Sequence, residues 1–191
     1  MRVLTMLLMC AVTAISLEAQ SVRRTNSRQG FWIGLGAGGG SVGADCVGCT
    51  SDRTSGFSGY VRLGGTVSRK ILLGGETNGW FHSESGVNEN LGFASFVLLF
   101  YPSAAGAFFL KVGAGGMKYK ADDGVDEITA TAPAGSLGLG YEFRAGRMFS
   151  VVPYFNALGS SSVRAKFNGI TISTNDIRVN LVQLGIGVTW H

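Results

Sequence analysis

The terminal stretch, Val179 to His191, alternates without a break. Val182, Leu184, Ile186, Val188 and Trp190 fall on one face, and Gln183, Gly185, Gly187 and Thr189 on the other. A period of two residues is that of a β-strand with one apolar side and one small or polar side. A soluble sheet buries the apolar side and shows the other to water. A transmembrane barrel inverts this: branched apolar residues meet lipid, small and polar ones meet the lumen, and an aromatic marks the membrane interface. The choice turns on whether the chain holds about seven more such strands at the spacing a barrel needs.

It does. Phe31, Ile33, Leu35 and Ala37 alternate with Trp32, Gly34, Gly36 and Gly38 before a glycine-rich loop, read as Gly39 to Ser55. Phe57 to Val67 sets Phe57, Val61 and Leu63 against Ser58, Tyr60 and Arg62. After Ser68-Arg69-Lys70, Ile71 to His82 sets Leu73, Thr77 and Phe81 against Leu72, Glu76, Asn78 and Trp80. A polar connection, Ser83 to Asn90, leads to Leu91–Tyr101, apolar on both faces, so its inward side is not fixed. A turn at Pro102 to Gly106 follows, where proline costs no ladder hydrogen bond. Then Phe108, Leu110 and Val112 oppose Phe109, Lys111 and Gly113; an acidic loop runs from Lys120 to Glu127; and Leu137, Leu139, Tyr141 and Phe143 oppose Ser136, Gly138, Gly140 and Glu142. A turn at Arg144 to Arg147, a strand from Phe149 to Gly159 and a loop from Ser160 to Asp176 complete the chain.

Eight candidate strands of about 10–12 residues therefore alternate with long and short connections, all long ones on one side and the tight turns with both chain ends on the other. The fold expected is all-β: an eight-stranded antiparallel up-and-down transmembrane barrel. Composition agrees. Charged residues make up 15% of the chain, against roughly 25% in soluble domains. Beyond the N-terminus no apolar run approaches the roughly 18 residues of a membrane helix.

The N-terminus reads as an export signal: Arg2, the apolar run Val3 to Ile15, then small residues, with cleavage expected after Ala19. Met9 stands before Cys10 where lipidation calls for a small residue. The expected division is residues 1–19 signal peptide, 20–29 a flexible lead-in on the periplasmic side, and 30–191 barrel domain. Cys46 and Cys49 survive cleavage in an exported chain, and a loop-stapling disulfide is the expected pairing. A zinc site lacks a second ligand pair, since the histidines are His82 and His191. No basic run with interleaved aromatics suggests a nucleic-acid surface. Gly34 to Gly40 is glycine-rich like a phosphate loop, but no helix follows it.

On this strand pattern and its aromatic-ended last strand, Gly30 to His191 resembles the small eight-stranded outer-membrane barrels of the OmpA and OmpX type. The resemblance implies residence in the outer membrane among its lipid and lipopolysaccharide, and recognition by the barrel-assembly machinery. A monomer without cofactor or metal is expected, with any partner met through the loops. The last strand departs from the family pattern by placing His191 after Trp190.

Inside eight strands there is room for side chains to fill the lumen. Arg62, Glu76, Lys111 and Glu142 fall on the inward phase, where unpaired charge is costly. A three-residue turn at Ser68–Lys70 would set Arg62 against Glu76, and Lys111 is expected to pair with Glu142 as a second structural ion pair plugging the lumen. Trp32, Tyr101, Tyr141, Phe143, Phe149 and Trp190 gather near the tight turns and are expected to form an interfacial aromatic girdle. Two other readings stay open. A soluble exported barrel of lipocalin type would turn the apolar faces inward around a small ligand. An outer-membrane lipid A deacylase would use His82 and Ser83, but adjacent strand residues face opposite ways, against the hydrogen bond such chemistry needs. The acids Asp122, Asp123, Asp126 and Glu127 lack EF-hand spacing and read as a solvated loop. A non-catalytic role is therefore expected.

Overall fold

The computed structural model describes residues 28–45, 53–146, 148–172 and 177–191. The expected signal, most of the lead-in, and Cys46 and Cys49 lie outside these. Eleven strands follow in order: β1 (Phe31–Asp45), β2 (Thr54–Ser68), β3 (Ile71–Glu84), β4 (Val87–Phe100), β5 (Phe108–Asp122), β6 (Glu127–Tyr141), β7 (Phe143–Arg144), β8 (Phe149–Ser160), β9 (Arg164–Phe167), β10 (Ile170–Ile172) and β11 (Arg178–Trp190). The eight long ones, all but β7, β9 and β10, form a closed antiparallel barrel, with β1 pairing β11 to shut the ring. No helix occurs among the described residues.

Following cross-strand partners once round, Ile33, Leu63, Gly75, Phe96, Ala114, Gly135, Gly159, Asn180 and Gly43, returns to β1 ten residues from the start. That stagger on eight strands corresponds to a strand tilt of about 40°. The interior is then wide enough for side chains and little else.

The strands outrun the sequence expectation. β1 continues to Asp45 through the stretch read as the start of a loop. Its inward glycines remove the usual strand signal because they make room: a Cβ at Gly36 would lie 2.2 Å from the Tyr60 ring, and one at Gly40 would lie 2.9 Å from Trp80. The connection read as Ser83 to Asn90 is a two-residue turn, Ser85–Gly86, with φ of 52° and 85°, the left-handed pair that matches strand twist. Polar residues there extend the ladder beyond the apolar band instead of leaving it. Long and short connections therefore do not alternate as the sequence suggested.

After Ser160 the chain leaves the ladder and rejoins it at Arg164, so β9 prolongs β8 along the upper part of β6. Pro133 lies opposite this excursion and brings no N–H to the ladder; its carbonyl accepts from the Ser161 amide at 2.9 Å. A second two-residue turn, Asn168–Gly169 (φ 46° and 82°), folds β10 back on β9. This hairpin stands above the barrel on the side opposite Arg28 and His191.

The lumen is filled in three layers. Trp32, Leu72, Val97, Leu99, Tyr101, Phe109 and Val152 close the end near Arg28 and His191. A larger cluster including Trp80, Phe93, Met117, Leu158 and Leu181 closes the other. Between them lies a polar belt with Arg62, Glu76, Asn78, Lys111, Asn156 and Gln183, all buried.

Candidate functional site

The polar belt is built by inward positions of neighbouring strands. Arg62 and Glu76 are direct cross-strand partners on β2 and β3, yet they form no ion pair. Glu76 Oε1 instead meets Lys111 Nζ, which reaches across from β5, and accepts from Asn78 Nδ2 at 2.8 Å. Arg62 donates from Nη2 to Thr189 Oγ1 at 3.3 Å and lies over two rings, 4.7 Å from Tyr60 and 5.0 Å from Phe109. Ring faces and one hydroxyl thus stand in for a carboxylate at the belt's second cation, whose Nε is left without a hydrogen-bond partner among the described residues. On the far side Asn156 Nδ2 donates to Gln183 Oε1 at 3.3 Å.

Lys111 and Glu142 are not brought together. Lys111 stands opposite Gly138, whereas Glu142 falls past the end of β6, at the floor of the barrel, where its amide donates to the Ala107 carbonyl. Its carboxylate is the centre of a second cluster. Arg28 Nη2 donates to Oε2 at 3.2 Å; the Tyr101 hydroxyl donates to Oε1 at 2.6 Å; His191 Nε2 lies 3.3 Å from Oε1. The Arg28 guanidinium also stacks 3.4 Å from the Tyr101 ring centre and bonds the Gly106 carbonyl. Arg28, which the sequence places in the flexible lead-in, is 1% exposed. Nothing in its polar surroundings signals this, because the partner that fixes it is 114 residues away.

Two of the expected girdle aromatics are inside. Trp32 and Tyr101 are fully buried in the lower apolar layer. The reason is phase: Trp32 alternates with the outward Phe31, and Tyr101 continues the inward series Val97 and Leu99. Tyr141, Phe143, Phe149 and Trp190 are exposed at the same end, with Phe31, Phe100 and Phe108 beside them. The strand left open in the sequence is fixed too: Leu91, Phe93, Val97 and Leu99 face in on β4, and on β8 Ser150, Val152, Tyr154, Asn156 and Leu158 do so.

Outside, the barrel carries a continuous apolar belt: Leu35, Leu63, Leu73, Phe96, Leu110, Leu137, Leu184 and Ile186 are all exposed. Charge inside and leucine outside is the reverse of a soluble ligand-binding barrel, so the lipocalin reading is set aside. Exposed apolar area on this scale marks a surface met by something other than water.

His82 and Ser83 diverge as strand geometry requires. The His82 ring stacks near Trp80, with Nε2 3.3 Å from Glu84, and Ser83 Oγ donates to Asn88 at 2.8 Å. In the acidic turn, Asp122 Oδ1 accepts from the Gly124 amide, and Asp123 Oδ1 from the amides of Val125 and Asp126. Lys120 bridges Asp122 at 3.1 Å and Glu127 at 2.9 Å. Hydrogen bonding to the charged form holds the three carboxyls below their ordinary range: Asp122 chiefly by the Gly124 amide, Asp123 by the Asp126 amide, Glu127 by Lys120. Among the described residues no cluster has the make-up of a metal site.

No protein-family model and no curated protein matches the sequence. Solved structures match in fold. The chain is similar to Neisserial surface protein A (NspA), at 13% identity and a TM-score of 0.61, over 84% of this chain and 96% of that one. It is also similar to Ail, the attachment invasion locus protein of Yersinia pestis, in complex with the heparin analogue sucrose octasulfate. There the identity is 13% and the TM-score 0.51, over 84% and 99% of the two chains. The outer membrane protein OprG from Pseudomonas aeruginosa gives 12% identity and a TM-score of 0.50, over 86% and 97%. The fold is that of small eight-stranded outer-membrane barrels.

Proposed function

We propose that this chain is an integral outer-membrane barrel that performs no catalysis and acts through the elements standing above the membrane. The observation that carries the reading is the apolar outer belt around a lumen filled in three layers, a construction with a surface for lipid and no passage for solutes. Residues 1–19 export the chain, the assembly machinery takes it by the Trp190-ended strand, and it inserts as a monomer among outer-membrane lipid and lipopolysaccharide. Cys46 and Cys49 close a small disulfide loop on the outer side.

The interaction surface is the crown formed by β6, β9 and β10. Ile128, Phe167 and Ile170 share one row of the ladder and are exposed, as is Val125 at the neighbouring turn. Apolar residues displayed beyond the lipid belt fit contact with another macromolecule better than contact with water.

The test is sidedness in intact cells. In a Cys46→Ser/Cys49→Ser background, Asn168→Cys is expected to react with a membrane-impermeant maleimide on whole cells, and Lys70→Cys only after permeabilisation. Protection of Asn168→Cys on intact cells, or labelling of Lys70→Cys, would refute the orientation and with it the surface role.

A further inference from the structure

Above the apolar belt, the outer wall of β5, β6 and β9 carries four outward cations in two ladder rows. Lys118 stands opposite Thr131, which stands opposite Arg164; two residues higher, Lys120 stands opposite Thr129, which stands opposite Lys166. Strands about 4.8 Å apart place each row across roughly 10 Å of wall. Lys120 is committed to Asp122 and Glu127. Lys118, Arg164 and Lys166 are exposed, and among the described residues none of them is in an ion pair.

Directly beneath lies a depression of about 590 Å³, walled by Gly116, Thr131, Pro133, Ser161, Ser162 and Arg164. It exists because β8 leaves the ladder between Ser160 and Arg164 opposite Pro133, which opens the wall and turns two serines to its rim. Gly116 has nothing within 4 Å of where a side chain would begin. Lower again, Ala114, Gly135 and Gly159 form one outward row of small residues, flanked by the exposed Phe96 and Leu137. From top to bottom the wall thus presents free cations, then hydroxyls in a recess, then a shallow apolar channel.

That vertical order is the order of an amphiphile with an anionic head. We propose that this face is a docking site for a phosphorylated lipid of the outer leaflet, of the lipid A class. Lys118, Arg164 and Lys166 meet its phosphate, the Thr131, Ser161 and Ser162 hydroxyls meet phosphate or sugar oxygens, and an acyl chain lies along Ala114, Gly135 and Gly159. Arginine suits a phosphate through its planar fork of donors and lysine as a point charge. A peptide partner would have no use for a channel sunk in the lipid belt. The inference rests on the outer-membrane reading and names the lipid that one part of the barrel selects.

The experiment uses the full folded chain in detergent micelles, titrated with purified bis-phosphorylated lipid A and followed by native mass spectrometry and backbone amide shifts. The expected result is binding that moves the Gly116, Thr131 and Ser161 amides. Lys118→Gln/Arg164→Gln/Lys166→Gln is expected to weaken it at least tenfold, while Arg69→Gln/Lys70→Gln at the opposite end leaves it unchanged. Dephosphorylated lipid A should bind at least tenfold more weakly, and inorganic phosphate alone should not reproduce the shifts. Triple-variant affinity within twofold of the parent would overturn the site. So would equal binding of dephosphorylated lipid, or parent shifts centred elsewhere, an outcome that does not depend on the variant folding. Each sample is first checked for the gel shift of a closed barrel. Loss of that shift in the parent would strike the membrane reading itself, whereas an intact shift with unselective lipid binding would strike only the site.

Discussion

Glu142 gathers side chains from the start, the middle and the end of the chain: Arg28, Tyr101 and His191. Glu76 does the same for one face of the belt with Lys111 and Asn78. Buried carboxylates of this kind are held by their partners, and removing one partner costs more than removing both. Lys111→Met leaves Glu76 with a single amide and is expected to lower stability by about 3–5 kcal/mol; adding Glu76→Gln should restore most of the loss. Urea unfolding of the three variants in micelles measures this, and a double variant no better than Lys111→Met would contradict it. The inward phase of Arg62, Glu76, Lys111 and Glu142 was readable from alternation. Their partners were not, because Lys111 reaches past β4 to β3 and Arg28 lies before the first strand. Trp32 and Tyr101 face inward because alternation, not aromatic character, sets their side.

At the scale of elements, the sequence understated the strands. Glycine in β1 and polar residues at the ends of β3 and β4 look like loop, but here glycine receives Tyr60 and Trp80, and the polar residues carry the ladder into water. The turn between β5 and β6 is one element whose stability depends on pH. Its carboxyls at Asp122, Asp123 and Glu127 are held below their ordinary values. Such groups contribute stability above an unfolded pKa of about 4 and lose it as pH falls through the lowered folded value. Lys120 is raised, first by Glu127 and then by Asp122. It contributes below an unfolded pKa of about 10.4 and loses that only as pH rises beyond it. The turn should therefore keep one conformation between about pH 5 and pH 10 and loosen below about pH 4. Amide shifts of Gly124 and Val125 across this range are the check. A transition near pH 6–7 would contradict the assignment.

For the whole molecule, the deciding contrast is between its two surfaces. The inside buries Arg28, Arg62, Lys111, Glu76 and Glu142, and the outside exposes leucine, phenylalanine and isoleucine around the full circumference. The eight-strand count and the inverted faces were legible because a closed barrel repeats the same two-residue period on every strand. The ten-residue stagger was not, since it depends on pairings that no local pattern encodes. The central claim is that this inside-out closed barrel resides in the outer membrane. The most direct test is to express the chain with residues 1–19 in place, separate the membranes, and compare boiled with unboiled samples on SDS gels. The account predicts a band in the outer-membrane fraction whose mobility shifts on boiling, the behaviour of a barrel with no free edge for detergent to open. A soluble periplasmic protein with no shift would contradict it.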